Sequence, residues 1–148
     1  MNKLYVLLIF CLFIPLTSVA QLTEVEVIAD IEKSNSPRCD LSDKSMVASV
    51  ESVLRSNQIK IRKNSPVVVY LRVISHKISS DFCAVTINLK VFYFSTAPSP
   101  VNPKPSSAIT VLCERDGLNV NQVSNIQSVV NSNFRSQMEV CISEIEKI

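Results

Sequence analysis

Residues Cys83 to Phe94 alternate in a way that strongly restricts how this 148-residue chain can fold. Every odd position from Cys83 to Tyr93 is apolar or amphipathic, whereas Thr86, Asn88 and Lys90 occupy even positions between them. Successive side chains on a β-strand point to opposite faces of the sheet, so this period of two predicts a strand with one face in the core. We expect the strand to span residues 82–95.

The same parity recurs in three further segments and predicts a four-stranded sheet. Residues 22–32, 66–75 and 108–114 each carry apolar side chains at odd positions. The polar run Ser79-Ser80-Asp81 is typical of a turn, so the strands on either side of it should form an antiparallel pair. In the last strand, the residues expected to face the core are Ile109, Val111 and Cys113.

Two segments have the periodicity of helices rather than strands. Apolar residues between Met46 and Leu54 follow a helical stripe, and Asp40 or Ser42 can cap that helix. Gly117, in Arg115-Asp116-Gly117, predicts a turn, after which apolar residues recur at three- and four-residue steps from residue 121 onward. The order β-α-β-β-β-α predicts an α+β two-layer sandwich, with a four-stranded, mainly antiparallel sheet and two helices on one face.

Residues 1–20 have the features of a cleaved secretory signal peptide. Lys3 precedes an apolar run from Leu4 to Leu16, and small residues lead to a cleavage site before Gln21. The run is too short to span a bilayer, and no later segment is apolar enough to insert after cleavage. We therefore expect residues 21–148 to form a single exported domain, most readily in a bacterial periplasm.

The charge balance argues against a polyanionic partner. The chain has 15 Lys and Arg against 13 Asp and Glu, for a formal net charge of +2. So small an excess of positive charge creates no global field toward nucleic acid or anionic membranes. We expect neither as a partner.

An even number of cysteines remains once Cys11 is removed with the signal peptide. Four cysteines in an exported chain predict two disulfides, with three possible connectivities. The expected topology favours Cys39–Cys83 together with Cys113–Cys141, because each pair then lies at one height along the sheet. With a single histidine and long spacings between the cysteines, a metal site is not expected.

The sequence contains no recognisable catalytic constellation. His76 is the only imidazole, and its neighbour Ser75 should point to the opposite face of the strand. The acidic row that includes Glu24 and Glu26 is typical of a solvated strand face, and a single glycine excludes glycine-rich phosphate loops. We expect no enzyme activity and no cofactor, and a small hydrolase using His76 or Glu26 is the least favoured hypothesis.

Even positions of the sheet carry apolar groups that the helices would leave in water. Such a surface typically marks contact with a protein partner or self-association, unless residues 56–64 or the proline-rich loop fold over it. The leading hypothesis is thus a non-enzymatic binding or assembly protein that uses this open sheet face or an edge strand. The candidate binding residues are Tyr70, Arg72, Ile74, Lys90, Phe92, Phe94 and Leu112.

The alternative hypothesis concerns residues 97–107, which contain four prolines. Proline fixes φ, so this loop should be exposed and stiff. A stiff loop on a small disulfide-bonded scaffold suits an inhibitor of a secreted hydrolase, since preorganisation limits the entropy lost on binding.

Overall fold

The computed structural model describes residues 22–32, 39–98 and 105–148, and the side chains at 96–98 and 105–106 are excluded. The predicted signal peptide and the tip of the proline-rich loop therefore lie outside the described residues. The elements are β1 (Glu24–Ile31), α1 (Asp43–Ser56), β2 (Lys60–Ile61), β3 (Val67–Lys77), β4 (Phe82–Pro98), β5 (Pro105–Gln122) and α2 (Val123–Ile145).

The five strands form one mixed sheet in the order β2-β1-β3-β4-β5. β1 is parallel to β2 and β3, whereas β3, β4 and β5 form an antiparallel meander. The α+β class is confirmed, but the predicted strand number of four is wrong. The extra strand forms because the chain after α1 returns beside β1, where the Lys60 N–H donates to the Thr23 carbonyl at 2.9 Å.

The predicted parity holds in the central strands. Odd positions of β3 and β4, from Val69 to Val73 and from Cys83 to Val91, are buried. They share one core with the apolar faces of both helices, including Met46 and Phe134, which have no exposed surface. The helices therefore cover the odd face of the sheet and leave the even face outside the core.

α1 begins where its sequence predicts. Ser42 is the N-cap, and its side chain accepts a hydrogen bond from the Ser45 N–H at 3.3 Å. A polar network fixes this end of α1 against α2, because the Ser42 N–H donates to Gln127 at 2.6 Å and Asn131 donates to Ser45 at 2.8 Å.

The predicted turn at Arg115-Asp116-Gly117 is wrong, because β5 continues through it to Gln122. Gly117 is paired with Ile87 in the sheet and has no positive φ. An added Cβ at Gly117 would lie 3.2 Å from both the Ile87 Cγ1 and the Gln137 Nε2. Glycine at this position therefore provides space for the core and α2 rather than a change in chain direction.

A β-bulge in β5 changes which of its residues face the core: odd positions face it after the bulge, and odd positions before the bulge face outward. Val91 pairs with Cys113 while Phe92 pairs with Val111, so Leu112 is an additional residue between them. The prediction that Val111 and Ile109 face the core is wrong, since both pair with outward-facing aromatic residues of β4. Conversely, Leu112 packs against the core and does not belong to the outward face.

Both predicted disulfides are confirmed. Cys39–Cys83 joins the segment before α1 to the start of β4, with the Cα atoms 6.0 Å apart. Cys113–Cys141 joins β5 to α2, with the Cα atoms 5.6 Å apart. A disulfide thus links each helix to the sheet, just before the start of α1 and near the C-terminal end of α2.

Candidate functional site

The outward face of the sheet is the candidate site, and its side chains follow from the strand registers. Even positions of β1, β3 and β4 point away from the helices, and the bulge brings Ile109 and Val111 of β5 to the same side. Residues 56–64 do not cover it, because Lys60 and Ile61 form an edge strand beside β1.

One end of this face carries a contiguous set of apolar side chains, which we call the apolar patch: Val68, Phe92, Phe94, Ile109 and Val111. Val68 pairs with Phe92, which pairs in turn with Val111, and Phe94 pairs with Ile109. Phe94 is 42% exposed, Val111 53% and Ile109 62%. Adjacent large apolar side chains on β4 and β5 therefore remain in contact with solvent, whereas Val68 of β3 is buried.

A row of polar side chains crosses the middle of the face, and we call it the polar band. The Tyr70 hydroxyl donates to Asp30 at 2.8 Å, and the Lys90 ammonium lies 2.7 Å from a Glu114 carboxylate oxygen. Asn88 donates to both Glu114 and Asp116, at 3.2 and 2.6 Å. Cross-strand pairs of this kind stabilise a sheet and fix the orientation of their side chains.

Contacts within the polar band shift the pKa values of Tyr70 and Glu114. The hydrogen bond to Asp30 raises the pKa of Tyr70 above its ordinary value. Hydrogen bonds from Lys90 and, to a lesser extent, Asn88 lower the pKa of Glu114. Both shifts favour the protonation states that these two groups already have at neutral pH.

A depression of about 330 Å³ lies over the polar band. Its two cations are already paired, Lys90 with Glu114 and Arg72 with Glu32 at 3.1 Å. An anionic ligand would have to displace these carboxylates, so the depression does not resemble an anion site. The lining residues are Tyr70, Arg72, Ile74, Thr86, Asn88, Lys90 and Asp116.

Beyond the polar band the face becomes apolar again. Leu118 is 71% exposed and pairs with Thr86, and exposed Val120 pairs with Ala84. Ile74 is also exposed in this region. Phe82 is exposed on the same face at this end. We take the apolar patch as the candidate contact because Phe92 and Phe94 form an adjoining aromatic pair within it.

The structure places six of the seven predicted binding residues on the outward face. Tyr70, Arg72, Ile74, Lys90, Phe92 and Phe94 lie there, and Leu112 does not. Sequence reasoning missed Ile109 and Val111, because a bulge gives no local sequence signal in this strand. It also missed Leu118 and Val120, although the alternation Leu-Asn-Val-Asn from Leu118 to Asn121 is itself a strand pattern.

The groups considered for catalysis do not converge. Ser75 is buried on the helix side of β3, whereas His76 is exposed on the opposite side. Glu26 accepts a hydrogen bond from the Asn64 N–H at 2.9 Å, and Glu24 pairs with Arg62. In the part of the chain that the structure describes, no three His, Cys, Asp or Glu side chains are grouped as metal ligands would be.

Neither helix among residues 22–32, 39–98 and 105–148 combines the length and apolar character needed to cross a membrane.

Comparison with known proteins gives no family assignment. No family model matches the sequence, and no curated protein matches it. Solved structures of limited similarity include three with TM-scores below 0.5, and no argument about this chain rests on them. The hypothetical protein CT253 from Chlamydia trachomatis has a TM-score of 0.44 at 8% identity, covering 84% of this chain and 95% of that one.

Two further similar structures are a PelC dodecamer from Paraburkholderia phytofirmans and the rare lipoprotein B from Shewanella oneidensis. The first has a TM-score of 0.39 at 12% identity, covering 86% of this chain and 88% of that one. The second has a TM-score of 0.38 at 10% identity, covering 84% of this chain and 95% of that one.

Proposed function

We propose that this chain is an exported, non-enzymatic binding or assembly protein that contacts another protein through the outward face of its sheet. The observation that carries the proposal is the apolar patch, in which Phe94, Ile109 and Val111 remain exposed next to one another. Contiguous exposed apolar surface of this kind is typical of interaction sites.

The chemistry of the face suits a protein partner better than a small ligand. The apolar patch lies on a sheet rather than in a deep cleft, and flat apolar surfaces bordered by polar groups are common at protein interfaces. The polar band borders the patch through Lys90 and Glu114, which form the next pair on the same face after Phe92 and Val111. Its side chains are held by one another, so a partner would meet them in fixed positions.

Export is the second part of the proposal. The predicted signal peptide supports it, and so does the presence of Cys39–Cys83 and Cys113–Cys141, because disulfides persist in oxidising compartments. A bacterial periplasm or the exterior of the cell fits both observations.

Recovery of bound protein from the producing cells tests the proposal. A tagged variant with Phe92→Ser and Phe94→Ser should lose its partner while keeping its fold. Tyr93→Ser is the matched control, because Tyr93 lies between the two rings on the same strand and is 40% exposed, but points to the opposite face. Equal recovery by the wild type and the double variant would contradict the proposal.

A further inference from the structure

The ends of β4 and β5 form an arm at one end of the sheet, where Phe92 and Tyr93 of β4 also pair with Val68 and Val67 of β3. We define the arm as Phe92–Ser95 of β4 and Ser107–Val111 of β5. Tyr93 is exposed on the helix side of the arm and Phe94 on the other side. Every residue from Ser107 to Val111 is exposed as well, so both faces of the arm are in solvent.

The arm also presents an unprotected strand edge. β5 pairs with β4 on one side only, and no strand among the described residues pairs with its other side. Natural edge strands usually carry charges that discourage pairing with another chain. β5 has such charges at Glu114, Arg115 and Asp116, but Ser107–Val111 has none and includes three β-branched residues.

We propose that a second copy of this chain occupies this edge, with Ser107–Val111 of the two copies paired antiparallel about a twofold axis at Ile109. The inference rests on the proposed function, since it names one partner of the same surface. An edge that pairs with itself forms a closed, symmetric dimer. The bulge at Leu112 and the charges at Glu114, Arg115 and Asp116 separate Ser107–Val111 from the rest of β5, and Ile109 is the centre of that segment.

The side chains favour this register. Ile109 lies opposite its own equivalent, Ser107 lies opposite Val111, and Ala108 lies opposite Thr110, so small residues face β-branched ones. No charged residue enters the paired segment. If the pairing were centred on Arg115 instead, Glu114 of one copy would lie opposite Asp116 of the other, and like charges directly opposite are destabilising.

Such a dimer would enlarge the candidate site. Residues opposite one another in an antiparallel pair project to the same face of the sheet. The two five-stranded sheets would therefore join with both outward faces on the same side. The apolar patches, which reach the β5 edge through Ile109 and Val111, would become neighbours across the twofold axis.

Cross-linking tests the register directly. Residues opposite one another in antiparallel strands have Cα atoms about 4.5–5.5 Å apart, within the range of a disulfide. Purified Ile109→Cys protein should form a disulfide-linked dimer under mild oxidation. Leu118→Cys is the matched control, because Leu118 is on the same strand and face and is 71% exposed. Equal cross-linking at both positions, or none at Ile109→Cys, would overturn the proposal.

Charge substitution gives an independent test. Ile109→Lys and Ile109→Glu each place like charges opposite one another, and each should weaken dimerisation about fivefold in sedimentation experiments. Mixing the two variants should restore the dimer as a heterodimer, whereas Leu118→Lys should dimerise as the wild type does. A wild-type protein that stays monomeric would overturn self-pairing. It would leave the proposed function standing, because that proposal is tested separately by the recovery of another protein through Phe92 and Phe94.

Discussion

The rings of Phe92 and Phe94 contact each other edge to face, with centroids 5.0 Å apart and ring planes at 87°. They lie on the side of the sheet that the helices do not cover. Aromatic pairs in this geometry contribute about 0.5–1.5 kcal/mol beyond the area they bury. The pair therefore stabilises the arm locally, but its rings remain partly in solvent and are not part of the central core.

The first prediction compares Phe94 with a phenylalanine of the core. Phe94→Ala should lower the free energy of unfolding by about 1 kcal/mol, because the ring is 42% exposed and loses mainly its contact with Phe92. Phe134→Ala should cost about 3–5 kcal/mol, since Phe134 is fully buried. Urea denaturation of both variants measures the difference. A similar cost for the two would mean that Phe94 belongs to a core and not to a surface.

The second prediction concerns the disulfides. Cys39–Cys83 closes a chain separation of 44 residues and Cys113–Cys141 one of 28. On the chain-entropy account, the bridges contribute about 4 and about 3.5 kcal/mol respectively. The paired variants Cys39→Ala/Cys83→Ala and Cys113→Ala/Cys141→Ala should both be destabilised, the first slightly more. Denaturant unfolding without reductant measures this, and stability unchanged from wild type in either would contradict it.

The third prediction concerns Gly117. Replacing glycine by alanine in a strand can stabilise a protein by about 0.4–1 kcal/mol, because alanine lowers the conformational entropy of the unfolded chain. Overpacking a core, by contrast, destabilises the protein by about 1–3 kcal/mol. The added Cβ would meet the Ile87 side chain, which is fully buried and has little room to move. We therefore expect Gly117→Ala to destabilise the protein by about 1 kcal/mol.

Ile87 provides the control for this prediction. Ile87→Ala removes both Cγ1 and Cδ1, which lie 3.2 and 3.4 Å from the position of the added Cβ. The double variant should therefore lose less stability than the sum of the losses of the two single variants. Strict additivity in thermal unfolding would show that the contact with Ile87 is not the cause.

The fourth prediction concerns pH and the polar band. Because hydrogen bonds from Lys90 and Asn88 lower the pKa of Glu114, its ionised form stabilises the fold at pH values above its pKa in the unfolded chain. That contribution is lost as the pH falls through the lower pKa of the folded state. Lys90→Ala should raise the pKa of Glu114 in an NMR titration, while Arg72→Ala, across the band, should leave it nearly unchanged. An unshifted Glu114 in Lys90→Ala would contradict the assignment.

The periodicity of the sequence was sufficient for much of the fold. The α+β class follows from the alternation around Val85 and Leu89 together with the helical stripe after Ser42. The parity shared by the strands predicted which face the helices cover, and the order of the elements predicted both disulfide pairings. These features depend on burial along whole elements, so many residues of each strand or helix carry the same signal.

The features that sequence reasoning missed depend on single residues in their tertiary context. Leu112 enters a bulge only because β4 is paired beside it, and the bulge moves Val111 to the outward face. Gly117 resembles a turn residue, but its role is to leave space for Ile87. The two-residue strand at Lys60 is fixed by the position of β1 rather than by its own sequence.

The account depends most on the claim that the outward face of the sheet contacts another protein. Site-specific photo-cross-linking in the producing cells tests it, with a photoreactive amino acid placed at Phe94 or Val111. Ser136 is the control position, because it is exposed on α2 on the other side of the molecule. We predict protein adducts from positions 94 and 111 and none from position 136. Adducts from position 136 alone, or from none of the three, would contradict the account.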